Sequence, residues 1–229
     1  MRRDLRWVAI GAAFVVVAYA TAGLDGALLY AASYMLALAL GIDNVLVISL
    51  MLMNARIPSG DRSSVLRWSF ACALGLRIAV LAGALFAMEW LPMATTSFGA
   101  FLVYEAIRSF RTDPFAGREE PKSRGLLASI ALVELAFAAD ALAAIAITDA
   151  LFLLIASSLL ATAAIRSMSR TIVVWAPRLR PLRLAALGLL ALAGATLIAG
   201  TQLHVSPLTT CLVVTGVLGT GLALSRRGA

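Results

Sequence analysis

Apolar residues run in long blocks along this chain, broken at short intervals by Arg, Pro and Gly. Blocks of this kind predict helices near 7–24, 27–53, 65–88, 91–109, 126–148, 150–175, 182–202 and 206–224. Each reaches or approaches the roughly 20 residues that a hydrocarbon core of about 30 Å requires of a spanning helix. Between the blocks, Arg and Lys fall in every second connection. The N-terminus carries Arg2, Arg3 and Arg6, and the second-to-third loop carries Arg56, Arg62 and Arg67. Arg111, Arg118, Lys122 and Arg124 follow the fourth helix, Arg178, Arg180 and Arg183 follow the sixth, and Arg226 and Arg227 end the chain. The remaining connections hold Asp25, Glu89, Asp149 and His204, and no Lys or Arg. By the positive-inside rule both termini are cytoplasmic.

Composition sharpens this reading. The 229 residues are 62% hydrophobic and 14% charged, against about 45–50% and 25% in soluble domains. An all-α, polytopic bundle of about eight transmembrane helices uses nearly the whole length and leaves no room for a soluble catalytic domain. The net charge of +7 sits in the basic loops and implies the lipid bilayer, not a nucleic acid, as partner. Cys72 and Cys211 lie in separate apolar blocks with no metal-binding spacing. The first 20 residues could pass for a signal peptide, with Ala18-Tyr19-Ala20 as cleavage site. A retained first helix fits the alternation of loop charges better.

The stretch RTDPFAGREEPKSRG, 111–125, reads as a cytoplasmic linker between two halves. ALALGIDNVLVIS (37–49) aligns without gaps on ELAFAADALAAIA (134–146), placing Asp43 on Asp140. One helix later, LGLRIAVLAG carries Arg77 and ATAAIRSMSR carries Arg166. The chain thus divides into an extra N-terminal helix (1–26), a first repeat (27–110), the linker, a second repeat (126–203) and a C-terminal helix (204–229). Three helices per repeat put the copies in opposite orientations, the build of many secondary transporters.

A carboxylate within a membrane helix is costly and rare unless it works or is paired. Glu134 and Asp140 stand about 600° apart around a helix, so sharing one cavity requires a bend, and Gly41 before Asp43 would permit a similar break. Asp43, Asn44, Glu134 and Asp140 offer hard oxygens suited to Mg, Ca or Mn, with Arg77 and Arg166 as counter-charges or gating groups when no ion is present. Structural alternatives stand beside this: salt bridges Asp43–Arg77 and Asp140–Arg166, a protonated Glu134, and Asn44 as interhelical glue. Glu105 and Arg108 form an i,i+3 pair at a helix end.

GIDNVLVISLMLMNARIP followed by LGLRIAVL, and later VELAFAADALAAIAIT, resemble the two signature helices of the TerC family of integral membrane proteins. GTQLHVS resembles that family's Gly-x-x-His-Ile-Pro ending. The resemblance covers about 27–205 and implies traffic in divalent metal, above all manganese export, under a historical tellurium-resistance label. By position Asp43 and Asn44 match the first motif, Glu134 and Asp140 the second. Ala37, Ala131 and Ala141 stand where many members carry further ligands, so backbone carbonyls or water would complete the shell.

The expected function is therefore a non-enzymatic secondary transporter in the bacterial inner membrane, exporting Mn2+ as cargo with no permanently bound cofactor. The alternatives are an exporter of small organic solutes such as amino acids, gripped by Arg77, or a non-transporting membrane partner that delivers metal or anchors an assembly. A homo-oligomer or membrane partner proteins are compatible with either.

Overall fold

The computed structural model describes residues 5–54, 59–91, 93–111, 150–168, 172, 180–199 and 206–227. The expected span over 126–148, with Glu134 and Asp140, lies outside the described residues. Within them the chain is all-helical: α1 (Leu5–Asn54), α2 (Ser59–Trp90), α3 (Ala94–Arg111), α4 (Leu151–Ser167), α5 (Arg180–Ala199) and α6 (Pro207–Arg227). Among the described residues four stretches are long and apolar enough to cross a membrane: Arg6–Ile42, Trp68–Trp90, Pro181–Ala199 and Pro207–Ser225. Local chemistry sets several ends. Pro207 opens α6, where a missing N–H costs nothing, and Ser206 caps it by accepting from the Thr209 N–H at 3.2 Å. Between α2 and α3 the Ala94 N–H donates to the Leu91 carbonyl at 2.9 Å, closing a tight turn.

The 50 residues of α1 are two arms folded back on each other at Gly23, whose φ of 67° and ψ of −163° interrupt the helix. Only glycine adopts that backbone without strain. Residues 5–22 and 24–54 then run antiparallel. The Tyr30 hydroxyl donates to the Gly11 carbonyl at 2.8 Å and the Tyr34 hydroxyl to the Val8 carbonyl at 3.3 Å. Phe14 packs against Tyr30 with ring centroids 5.2 Å apart. The sequence pattern places a connection at Asp25–Gly26; in the structure those residues are already helical and a single glycine, Gly23, makes the reversal. Likewise Glu89, expected in a loop, belongs to the last turn of α2. The break that Gly41 would permit is not used, since α1 stays helical there. Gly41 lacks a side chain because the Ile165 side chain occupies that space.

Neighbour relations fix the helix directions. Gly26 faces Leu153 and Gly41 faces Ile165, so the second arm of α1 and α4 run parallel. Gly99 of α3 faces Gly194 and Ile198 of α5, and Arg183 donates to the Ser109 carbonyl at 2.9 Å; that pair runs antiparallel. Gly221 of α6 packs on Leu182 and Ala185 of α5. Leu36, Leu81, Leu102, Leu154 and Leu190, from five helices, meet in one buried core. Val16, Phe86, Trp90, Phe110 and Leu212 stand exposed on the outside. In water such a surface would be a liability; in lipid it is ordinary contact, and cohesion comes from close packing and polar pairs.

Candidate functional site

Hydroxyls in membrane helices commonly satisfy themselves on a carbonyl one turn back. Ser157 donates to Leu154 at 3.1 Å and Thr162 to Ser158 at 2.7 Å in this way. Two serines do something else. Arg77 Nη1 of α2 donates to Ser158 Oγ of α4 at 3.2 Å. Arg166 Nη1 of α4 donates to Ser69 Oγ of α2 at 2.9 Å. In both helices the serine precedes the arginine by eight residues, about 12 Å along the axis. The bonds are therefore crossed, and α2 and α4 run antiparallel.

Burial makes the arrangement consequential. Arg77 is 4% exposed, Ser158 2% and Ser69 0%, while Arg166 is half-buried. A guanidinium withdrawn from water needs hydrogen bonds and negative charge to offset lost hydration, and each arginine has partners beyond its serine. The two cations also repel each other, and Cys72 neighbours Arg166.

The second arm of α1 completes the described surroundings. Val45 packs with Ile165 and Ile172, and Leu38, Ile42 and Met168 lie against them. The helix backbone at Asp43 and Asn44, between Ile42 and Val45, thus passes the turn of α4 that carries Arg166. The structure brings Arg77 and Arg166 near each other and this stretch of α1 near the turn that carries Arg166; Glu134 and Asp140 fall outside the described residues. Among the described residues no group of three or more His, Cys, Asp or Glu gathers to hold a metal. Arg108 lies 3.5 Å from Glu105, with its side chain 60% exposed, a pair at the rim of the bundle and remote in character from this site.

Sequence reasoning singles out both arginines and misses the serines that hold them. A signal is present: SFACALGLR (69–77) and SLLATAAIR (158–166) share the serine, the arginine and the interval. The sequence is also silent on Gly99 and Gly194, where the backbones of α3 and α5 touch. A Cβ on Gly99 would lie 2.6 Å from the Gly194 carbonyl oxygen, and one on Gly194 would lie 2.7 Å from that of Gly99.

Apolar helices with buried cations at a helix–helix contact define an integral membrane protein with a polar interior. The model of the "Integral membrane protein TerC family" matches residues 22–227. The chain belongs to that family. It is 27% identical over 188 residues to the "UPF0053 inner membrane protein YgdQ" of Escherichia coli strain K12, a match covering 72% of this chain and 77% of that protein. Proteins of the same name from Escherichia coli O6:H1 and O157:H7 match to the same extent. No solved structure matches the chain significantly.

Proposed function

We propose that this protein is a secondary transporter of two inverted three-helix repeats in an eight-helix bundle, exporting divalent metal ions and Mn2+ in particular. The observation that carries the reading is the crossed pair Arg77–Ser158 and Arg166–Ser69. A contact in which each partner's counterpart makes the same contact in reverse is the mark of a two-fold relation. Because α2 and α4 are antiparallel, the axis relating them lies across the helices, in the membrane plane. Reciprocal Gly99 and Gly194 fit the same relation between α3 and α5. The third helices of each repeat are then the second arm of α1 and the span over 126–148.

On this reading Asp43 and Asn44 from one repeat, and Glu134 and Asp140 from the other, supply oxygen ligands near the repeat interface, where transporters of this build hold their cargo. A divalent ion offsets the repulsion between the carboxylates. Arg77 and Arg166 take over that role when the ion has left, and carboxylates that release protons to bind metal couple export to proton entry. The relative's name supports the inner membrane as location, with both termini cytoplasmic by the loop charges.

The test is relief of Mn2+ overload in cells lacking their own exporters. The parent protein restores growth and lowers cell manganese; Asp43→Ala and Asp140→Ala, at equal membrane abundance, do not. Full relief by both variants overturns the site. A parent that relieves amino-acid overload and not Mn2+ is an exporter of organic solutes with Arg77 as carboxylate anchor. Uptake into reconstituted vesicles separates transport from metal delivery or anchoring.

A further inference from the structure

The second arm of α1 and α4 run parallel and belong to opposite halves of the chain, so the halves can part along their contact. Two glycines gauge its width. At Gly41 the Ile165 side chain occupies the place of a Cβ, and even the Ile165 Cβ lies only 3.9 Å from it. At Gly26 the nearest atom of α4 is the tip of Leu153, at 3.7 Å. The helices are closest at the Gly41 end and wider apart at the Gly26 end, which the loop charges turn to the outside. Ser33 lies between the two, seven residues beyond Gly26 and within about 20° of the same face. It is 0% exposed, and its Oγ finds no hydrogen-bond partner among the described residues. On α4, Ser157 stands between Leu153 and Ala161, which cluster with Tyr30 and Tyr34 of α1. Ser157 is equally buried and donates to the Leu154 carbonyl at 3.1 Å. Phe14 and Ala18 of the first arm cover the contact from its flank and keep lipid away.

A serine in a membrane helix ordinarily settles on a carbonyl of its own preceding turn, as Ser157 does. Ser33 does not, and its hydroxyl bears the cost of desolvation with no bond to offset it. Alanine would fill the same space without that cost, so the hydroxyl is of use only where the contact becomes wet. We propose that the contact between the second arm of α1 and α4 is a slot that opens to water from the outside, pivoting at Gly41 and Ile165, with Ser33 and Ser157 on its two walls. The slot rests on the transporter reading above and gives that reading its outward step. Neutral oxygens on facing walls stand in for water around a departing hydrated cation and hold it weakly enough to let it go. The hydroxyl also biases the motion: opening hydrates Ser33 and closing strips it, so Ser33 favours the open slot.

The test is made on the full chain in a Cys72→Ser/Cys211→Ser background, in right-side-out and inside-out vesicles with no metal added. A membrane-impermeant maleimide reports on the thiol of Ser157→Cys. Leu36→Cys, at a position 2% exposed in the main core, is the dry control. We expect Ser157→Cys to react from the outside at least tenfold faster than Leu36→Cys, and no faster than that control from the inside. Adding Ser33→Ala slows the outside reaction on the order of tenfold, the population shift that one stranded hydroxyl gives. It also raises the unfolding midpoint, so the slowing is not misfolding. Ser33→Cys is a second reporter on the other wall and reacts from the same side. A Ser157→Cys thiol as inert as the control, reaction from the inside, or a rate indifferent to Ser33→Ala overturns the proposal. The last outcome would mean that Ser33 simply turns onto its own helix. Because no metal is present, failure of the Mn2+ assignment leaves these rates unchanged, and the two failures are told apart.

Discussion

Gly99 and Gly194 stand back to back, each where a Cβ would come within 2.6 or 2.7 Å of the other's carbonyl oxygen. Carbonyls fixed in two helices cannot step aside as a side-chain tip can, so any substituent forces α3 and α5 apart. Gly99→Ala and Gly194→Ala are each expected to cost about 1–3 kcal/mol, the range for an overpacked contact. Gly75, Gly83 and Gly188 meet nothing within 4 Å of a built Cβ. Alanine there should be neutral or stabilising by up to about 1 kcal/mol from better helix propensity. Thermal unfolding in detergent, followed by loss of the monodisperse peak, separates the two groups.

Gly23 poses the opposite problem. Nothing lies within 4 Å of a Cβ at that position, yet its φ of 67° with ψ of −163° is closed to other residues. Gly23→Ala is expected to cost about 1–3 kcal/mol through backbone strain alone. The cost should be seen as faster proteolysis of the first arm, with α3–α5 packing unaffected. Equal losses in Gly23→Ala and in the neighbouring control Ala22→Ser would contradict a backbone origin.

Two tyrosines fasten that first arm, and they should not count equally. Tyr30 is fully buried and bonds Gly11 at 2.8 Å; Tyr34, 5% exposed, reaches the half-buried Val8 at the longer distance of 3.3 Å. Tyr30→Phe leaves a carbonyl of the helix with one acceptor site unfilled and removes a short bond, for about 0.5–1.5 kcal/mol. Tyr34→Phe should cost less. Unfolding midpoints of the two variants in one detergent check the order, which reverses if ring stacking and not the hydroxyl dominates.

These cases mark what the sequence reveals. Long apolar runs announce spanning helices because the bilayer demands about 20 residues, and each of the six described helices overlaps one or two of the expected blocks. The reversal at Gly23 is not legible, because the apolar run continues to Leu24 and Asp25-Gly26 looks more turn-like than a lone glycine preceded by alanine. Gly41 misleads for a related reason: the same residue serves a break or a close approach, and only the position of Ile165 decides. Arg77 and Arg166 stand out as charges among apolar residues. Ser69 and Ser158 do not, since Ser157 and Thr162 nearby merely back-bond along their own helix. Partner choice across an interface is a property of helix rotation, which apolar composition all round a helix leaves unspecified.

Burial also ranks the arginines. Arg108 has a side chain 60% exposed and meets Glu105 at 3.5 Å; a pair like that is worth about 0–1 kcal/mol and is screened by salt. Arg77 is 4% exposed and donates to a serine that is 2% exposed. Removing it strands a buried hydroxyl and the rest of its hydrogen-bonded surroundings, a loss on the order of 2–4 kcal/mol. Arg77→Met should therefore lower the unfolding midpoint by several degrees, and Arg108→Met should leave it nearly unchanged at any ionic strength. Arg77→Lys keeps the charge and gives up the planar fork, so it is expected to recover only part of the loss. Recovery to the parent midpoint by lysine would mean that charge alone, and not the directed bond to Ser158, is what α2 contributes at this position.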